Sequence, residues 1–249
     1  GVLPVEDVVE GIRVTRIPYR GGQRFFWAPD VIKYISEYDV LHIHNIDFFV
    51  DFLSLTKSLH RKPIVVSTHG GFFHTSHLAI IKKVYFNLVT RLLLPRVDKV
   101  VADSEHDLAL FERIYPGTKV IQNGVDFGRL ADVTKQIEPG LLLYIGRMVS
   151  NKRIDLLIQC LAVLRQRVPE AQLALVGPDF EGLKDELYAL AVECGVEDAV
   201  HFAGQVSDEE LAQWLARALC FVTASEYEAF GISVLEAMST GTVPIVNPL

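Results

Sequence analysis

Near the end of the 249-residue chain, two glutamates stand eight positions apart with a glycine between them, in Glu228-Ala229-Phe230-Gly231-Ile232-Ser233-Val234-Leu235-Glu236. The run from Gly231 to Ser239 predicts a short helix, stopped by Gly241 before an apolar strand over 243–246. Glu228 then falls in the loop before the helix and Glu236 inside it. Helical spacing places Ile232, Leu235 and Met238 on an apolar face, so Glu236 interrupts a stretch that otherwise looks buried. A carboxylate in such a place is costly unless something pairs with it. A helix N-terminus offers free N–H groups and the positive end of a dipole, a seat for phosphate. The expected chemistry is binding of a nucleotide diphosphate at this N-terminus, with one glutamate on each side. The alternative is an ordinary amphipathic helix with Glu236 on its wet side.

Other chemistry-bearing residues recur just after predicted strands. Gly146-Arg147 and then Lys152 follow a strand over 141–145, two cations able to grip a diphosphate and neutralise its charge as it leaves. Solvated charges near a helix start would look the same. Gly177, after a strand over 171–176, would let a base or ribose approach the backbone, or form a plain turn. His69 ends the strand Pro63–Ser67 and is followed by Gly70-Gly71. His69, His74 and His77 match no common zinc spacing. His42 and His44 alternate onto one face of their strand. In Asp103-Ser104-Glu105-His106-Asp107, Ser104 is expected to cap a helix, with Asp107 three positions on. With no paired aspartates to hold a metal-bound diphosphate, metal-independent chemistry is expected.

These residues are spaced by alternating strands and helices. Strands are predicted at 11–17, 38–44, 63–67, 99–102 and 119–121, with helices beginning near Pro29 and covering about 48–59 and 78–94. Residues 130–140, with Pro139-Gly140, resemble a linker. A second series follows: strands 141–145, 171–176, 199–202, 219–223 and 243–246, and helices 153–167, 181–193, 207–218 and 231–239. The pattern predicts an α/β chain of two Rossmann-like domains, 1–135 and 136–249, each a parallel sheet covered by helices and facing the other across a cleft. Ligands of such sheets bind beyond the carboxyl ends of the strands.

Composition narrows the partners. The net charge of −7 argues against nucleic acid. Residues 1–135 carry 17 Lys+Arg against 15 Asp+Glu, and residues 136–249 carry 7 against 16. No apolar run reaches the ~18 residues of a membrane span, and the first residues do not form a signal peptide. Cys160, Cys194 and Cys220 lie in apolar segments and are expected to be buried free thiols of a reducing compartment. The basic and apolar-aromatic stretch 80–96 suits either a helix at an anionic membrane surface or a core helix with a basic outer face.

The glutamate pair, with Gly146-Arg147…Asn151-Lys152, Asn123-Gly124-Val125-Asp126 and Leu175-Val176-Gly177, resembles the retaining glycosyltransferases of family four, which have the two-domain GT-B architecture. Within the family, Ser67–Thr75 and His44–Phe49 look most like the enzymes that move mannose from GDP-mannose to a polyprenol-diphosphate-linked cellobiosyl acceptor in exopolysaccharide assembly. The resemblance implies a membrane-peripheral cytoplasmic enzyme without cofactor or metal. It implies that Gly146, Arg147, Lys152 and Gly177 serve the donor diphosphate and nucleoside. Glu228 and the backbone of Phe230, Gly231 and Ile232 would hold sugar and phosphates, Glu236 the ribose, and His69 the donor sugar. Glu228 would position and stabilise without becoming a covalent nucleophile. The chain departs from the family at both ends: the usual first strand with its Gly-rich loop and the last strands and helices are not in it. An incomplete chain could instead be a non-catalytic sugar-nucleotide-binding or partner subunit.

Overall fold

The computed structural model describes residues 4–22, 26–70, 83–130, 132–226, 228 and 230–247. They form two compact units, 1–122 and 123–249.

The first unit opens on an antiparallel hairpin, β1 (Glu6–Val9) with β2 (Ile12–Thr15). Glu10 and Gly11 turn it, both with positive φ (52° and 81°), the backbone of a two-residue hairpin turn. A single strand at 11–17 was expected here. β3 (Arg20–Gly21) pairs briefly with β4 (Phe26–Trp27). The helix expected at Pro29 is instead two 3-10 segments, Pro29–Lys33 and Ile35–Glu37. Four parallel strands follow in chain order: β5 (Leu41–His44), β6 (Ile64–Ser67), β7 (Lys99–Ala102) and β8 (Lys119–Val120). Their apolar residues, Ile43, Ile64, Val66 and Val100, pack with helical Val50, Leu53, Phe86, Leu94 and Phe111.

The helices of this unit are α1 (Phe48–Leu55), capped by Asp47, and α2 (Lys57–His60). A helical run at 83–96 then contains a π-helical turn Phe86–Thr90, α3 (Arg91–Leu93) and a 3-10 turn Leu94–Arg96. It covers the second half of the helix expected at 78–94; residues 78–82 lie outside the described residues. α4 (Glu105–Phe111) begins at Ser104, whose hydroxyl accepts from the Asp107 N–H at 3.2 Å as the capping pattern predicted.

The second unit is a five-stranded, all-parallel sheet in the order β11-β10-β9-β12-β13. Its strands are β9 (Leu141–Ile145), β10 (Gln172–Val176), β11 (Val200–Gly204), β12 (Cys220–Thr223) and β13 (Val243–Val246). Continuous apolar runs such as Leu-Leu-Leu-Tyr-Ile suit strands covered on both faces. On one face α5 (Ile154–Arg165) and α6 (Lys184–Glu193) bring Ile158, Leu161, Leu187 and Ala191 onto Tyr144, Leu173 and Leu175. On the other, α7 (Asp208–Arg217) and α8 (Ile232–Ser239) bring Leu211, Leu215 and Ala237 onto Leu143, Ala174 and Phe221. The chain leaves β9 toward β10 and β11, then returns to lay β12 on the other side of β9. Between β9 and β12 the strand order reverses.

The units divide after Gln122, earlier than the 135/136 boundary expected from the polar stretch 130–140. That stretch is fastened to the second unit. Leu130 is buried in its core. The Lys135 ammonium donates to the Leu215 and Ala218 carbonyls at 2.6 and 3.1 Å and to the Thr242 hydroxyl at 2.8 Å. Glu138 accepts two bonds from Arg217. The three cysteines are free, and of them Cys160 is exposed and only Cys220 is buried, contrary to the expectation that all three are buried. No helix among the described residues is long and apolar enough to cross a membrane.

Candidate functional site

The reversal of strand order between β9 and β12 is where an open parallel sheet leaves a crevice beyond its carboxyl ends. Gly146, Arg147 and Lys152 follow β9, Gly177 follows β10, and Glu228, Phe230, Gly231 and Ile232 follow β12. The fold therefore gathers these predicted residues at one end of one sheet.

The loop after β9 is built as an extension of the sheet. Gly146 N–H donates to the Val176 carbonyl at 2.9 Å, and Met148 N–H to the Pro178 carbonyl at 2.9 Å. Met148 and Val149 are buried beneath it. Gly177 fits closely against this loop: a β-carbon there would lie 2.0 Å from the Gly146 carbonyl oxygen. Close packing of two backbones thus accounts for a glycine at position 177. Buried Tyr144 donates its hydroxyl to the Arg147 carbonyl at 3.0 Å. Burial pushes this phenol well above its ordinary range. The Arg147 side chain is exposed, and its guanidinium lies over the Phe180 ring, 5.1 Å from the centroid.

Lys152 and Glu228 form an ion pair at 2.5 Å, both side chains largely shielded. A second pair lies beside it, Arg153 to Glu226 at 2.9 Å. Glu226 N–H also donates to the Asn151 carbonyl at 2.9 Å, fastening the loop after β12 to the loop after β9. Gly231 enters α8 in the left-handed conformation (φ 77°) and supplies no side-chain cap, so the helix N-terminus faces the crevice without a carboxylate or hydroxyl of its own cap across it.

α8 is rotated relative to the expectation. Ile232 and Met238 are exposed, whereas Glu236 is only 6% exposed and Ala237 is fully buried. The cause is the small Ala237, which lets the helix sit close on β9 and β12 with Val234 beside it. The buried face thus contains Glu236, and the apolar face expected at Ile232, Leu235 and Met238 is not the packed one.

His69 belongs to the first unit, at the carboxyl end of β6, with a left-handed backbone (φ 47°). Its Nε2 lies 2.9 Å from His44 Nδ1, and its Nδ1 lies 3.5 Å from Asp103 Oδ2. His42 and His44 share one strand face as predicted, with ring centroids 4.2 Å apart. Burial first, and then the charges of His42 and His69, hold His44 below its ordinary range. His74 and His77 lie outside the described residues. Sequence reasoning missed Phe180, the Arg153–Glu226 pair, and the carboxyls of Asp103 and Asp107 behind His69. The strand-end rule that found His69 also points at Asp103, which follows β7.

Two doubly wound units of this kind have the GT-B glycosyltransferase fold. Solved structures sharing it include Anabaena Alr3699/HepE in complex with UDP and glucose, with a TM-score of 0.66 at 23% identity over 88% of this chain and 62% of that one. Sucrose-phosphate synthase from Thermosynechococcus elongatus gives 0.73 at 21% identity over 98% of this chain and 67% of that one. The profile described as Glycosyltransferase Family 4 matches residues 2–129, and that described as Glycosyl transferases group 1 matches residues 131–248. The chain belongs to glycosyltransferase family 4.

Among individual relatives, the chain is 40% identical over 248 residues to the GDP-mannose:cellobiosyl-diphosphopolyprenol alpha-mannosyltransferase of Komagataeibacter xylinus, covering 99% of this chain and 63% of the relative. It is 37% identical over 249 residues to the protein of the same name from Xanthomonas campestris, covering 99% and 66%. The chain thus spans just under two thirds of the length of these relatives.

Proposed function

We propose that this chain carries the donor site and sugar-facing residues of a retaining glycosyltransferase that moves mannose from GDP-mannose to a polyprenol-diphosphate-linked glycan in exopolysaccharide assembly. The observation that carries the proposal is the Lys152–Glu228 ion pair at the strand-order reversal of the second unit, beside the Gly231-led helix N-terminus. The names of the relatives supply the sugar, nucleotide and acceptor.

The roles follow from charge. A diphosphate carries more charge than a carboxylate and competes for Lys152 with Glu228. Glu228 is then released to accept from hydroxyls of the transferred sugar. Arg147 joins Lys152 on the diphosphate and offsets the charge that grows on it as the bond to the sugar breaks. The backbone of Phe230, Gly231 and Ile232 receives phosphate at the start of α8, and Glu236 accepts from the ribose hydroxyls. His69 serves the transferred sugar. Retention follows if the acceptor attacks the face that the diphosphate leaves, with a leaving phosphate oxygen taking the acceptor's proton. Glu228 stays non-covalent throughout, and no metal or cofactor enters.

The acceptor's lipid brings the protein to a membrane. On the helical run 83–96, Val84, Leu88 and Leu92 are 52%, 66% and 70% exposed, and Lys83, Arg91 and Arg96 flank them. An apolar stripe with basic neighbours fits an anionic lipid surface.

Calorimetry with GDP-mannose, GDP and UDP-sugars, followed by transfer to a lipid-diphosphate acceptor, tests the proposal on the full-length protein. Binding of GDP-mannose and GDP in preference to UDP-sugars, with mannose appearing on the acceptor, is expected. Donor binding without transfer would mark a non-catalytic binding subunit and overturn the enzyme.

A further inference from the structure

An exposed tryptophan stands over the first turns of α1. Trp27, on the short strand β4, is 54% exposed. Its ring centroid lies 5.0 Å from that of Phe48 and 6.0 Å from that of Phe52, with interplanar angles of 56° and 72°. Phe48 and Phe52 are themselves stacked, at 5.2 Å and 21°. Phe26, next to Trp27 in the chain, packs edge-on against Phe48 and Phe49. The indole is thus braced by α1, and the rest of its surface meets solvent. A large apolar ring left in water is unfavourable, and a braced one loses little motion when a ligand stacks on it.

A cation stands beside the ring. β3 and β4 are antiparallel, and Arg20 is the residue directly opposite Trp27. Residues so placed share one face of the pair, with β-carbons about 5 Å apart. Arg13 and Arg16, earlier in the chain, pair with Glu37 and Asp7. Arg20 is exposed and has no carboxylate partner among the described residues. Position ties this pair to the site. Phe48 opens α1 four residues after His44, the last residue of β5. The platform therefore lies beyond the carboxyl end of the sheet, the end that also holds His44 and His69, in contact at 2.9 Å. An alkyl chain would use the ring and not the charge, and the exposed aliphatic stripe of this unit is elsewhere, at Val84, Leu88 and Leu92. A sugar joined to phosphate uses both. The C–H bonds on one face of a pyranose meet the electron-rich face of the indole, and a guanidinium forks onto phosphate oxygens.

We propose that Trp27 and Arg20 form a subsite that selects the acceptor: the indole stacks on the sugar that carries the diphosphate, and the guanidinium binds that diphosphate. The proposal rests on the reading of the protein as a transferase to a polyprenol-diphosphate-linked glycan, and adds to it two residues that distinguish a glycosyl diphosphate from a bare lipid phosphate.

Fluorine NMR of the full-length protein labelled with 5-fluorotryptophan reads the indole directly, with the Trp27 signal assigned by its loss in Trp27→Phe. The probe is cellobiosyl diphosphate bearing a short alkyl chain, added without donor. The Trp27 signal is expected to shift strongly with this probe, and much less with cellobiose alone or with the same alkyl diphosphate lacking sugar. Trp27→Ala and Arg20→Ala are each expected to weaken probe binding roughly tenfold, whereas Trp27→Phe, which keeps a ring, costs about threefold. In the transfer assay both alanine variants are expected to raise the acceptor KM while the GDP Kd, which also checks folding, stays at the wild-type value. A Trp27 signal that does not move with the probe overturns the proposal. So does an equal shift with the sugar-free alkyl diphosphate, which would make the platform a lipid contact, and so does wild-type probe binding by Arg20→Ala. Transfer with a silent Trp27 signal would remove the subsite and leave the proposed activity standing; a shifted signal without transfer in any form would do the reverse.

Discussion

In the proposed donor site Glu236 and Arg147 serve the same ligand from opposite environments, and their substitution is expected to separate binding from turnover. Glu236 is buried in α8, where its carboxylate holds a fixed position. A hydrogen bond to a charged acceptor is worth about 1.5–3 kcal/mol. Glu236→Gln keeps the shape and is expected to weaken GDP binding by about tenfold with little change in stability. Arg147 is exposed and stacked on Phe180. Its charge matters most once negative charge builds on the leaving diphosphate, so Arg147→Ala should lower kcat more than it raises the donor Kd. Calorimetry and steady-state rates on the two variants check this; equal effects on binding and turnover in both would remove the assigned roles.

Another carboxylate makes its prediction through pH. Asp51 on α1 accepts from the Tyr85 hydroxyl, while its Oδ1 is buried with no hydrogen-bond partner among the described residues. Burial first, and then the charge of Asp47, push Asp51 up to about 6 from an ordinary 3.8. Between those values the folded protein binds a proton that the unfolded chain has released. The contribution of Asp51 to stability therefore falls as pH rises from about 4 to about 6, and is level above that. Asp51→Asn removes this loss. It is expected to match wild type near pH 4 and to exceed it by ~2 kcal/mol at pH 7, allowing for partial solvent screening. Urea midpoints across that range decide it, and a difference that does not grow with pH sinks the assignment.

At the scale of elements, the site depends on two loops whose backbones touch. Gly177→Ala would place a β-carbon 2.0 Å from the Gly146 carbonyl oxygen, at a φ of 136°. Neither atom is the end of a flexible side chain, so both loops must move. The expected loss is more than about 3 kcal/mol, with donor binding lost alongside because Arg147 rides on the Gly146 loop. Gly182→Ala is the control. Its φ is also positive, at 75°, but a β-carbon there meets nothing within 4 Å. Only the conformational penalty of about 1 kcal/mol is expected. Thermal melts of the two variants compare contact with strain; similar losses would mean that the loop contact is unimportant.

The same elements show what could be read without coordinates. The parallel strands were legible because apolar runs bounded by turn residues have no other easy home. Lys99–Ala102, Leu141–Ile145 and Val243–Val246 fall where predicted. The β1–β2 hairpin was missed because its turn is Glu10-Gly11, without the usual Asn or Asp, and Val8, Val9 and Ile12 are exposed instead of alternating against a core. α8 was placed correctly along the chain and wrongly about its axis. Ile232 and Met238 point outward, and the face that packs centres on Ala237, a residue too small to register as a core signal. Apart from Glu236, which lies within α8, the candidate site residues follow the ends of parallel strands, which is what made them legible. The carboxyl pair behind His69 escaped because Asp107 lies three residues beyond the helix cap, where sequence spacing accounts for it as part of the capping pattern.

For the whole molecule, the proposed donor binding and the proposed membrane contact fall in different units and should be separable. The donor residues lie in unit 123–249, while the exposed Val84, Leu88 and Leu92 lie in unit 1–122. The charge balance has the same division, with the excess of acidic residues confined to the second part of the chain. A lipid surface of like sign repels that part and attracts Lys83, Arg91 and Arg96. Binding to vesicles is therefore expected to need anionic lipid and to weaken as salt screens the charges, with apolar insertion of the stripe supplying what salt does not remove. Leu88 and Leu92 point away from the packed face made by Phe86, Thr90, Leu93 and Leu94, so glutamate can replace them without entering the core. The double variant Leu88→Glu with Leu92→Glu should lose co-sedimentation with anionic vesicles by roughly tenfold or more while its GDP binding stays at the wild-type value. Two results would be incompatible with this division of labour: vesicle binding that ignores lipid charge, or a double variant that still sediments with anionic vesicles.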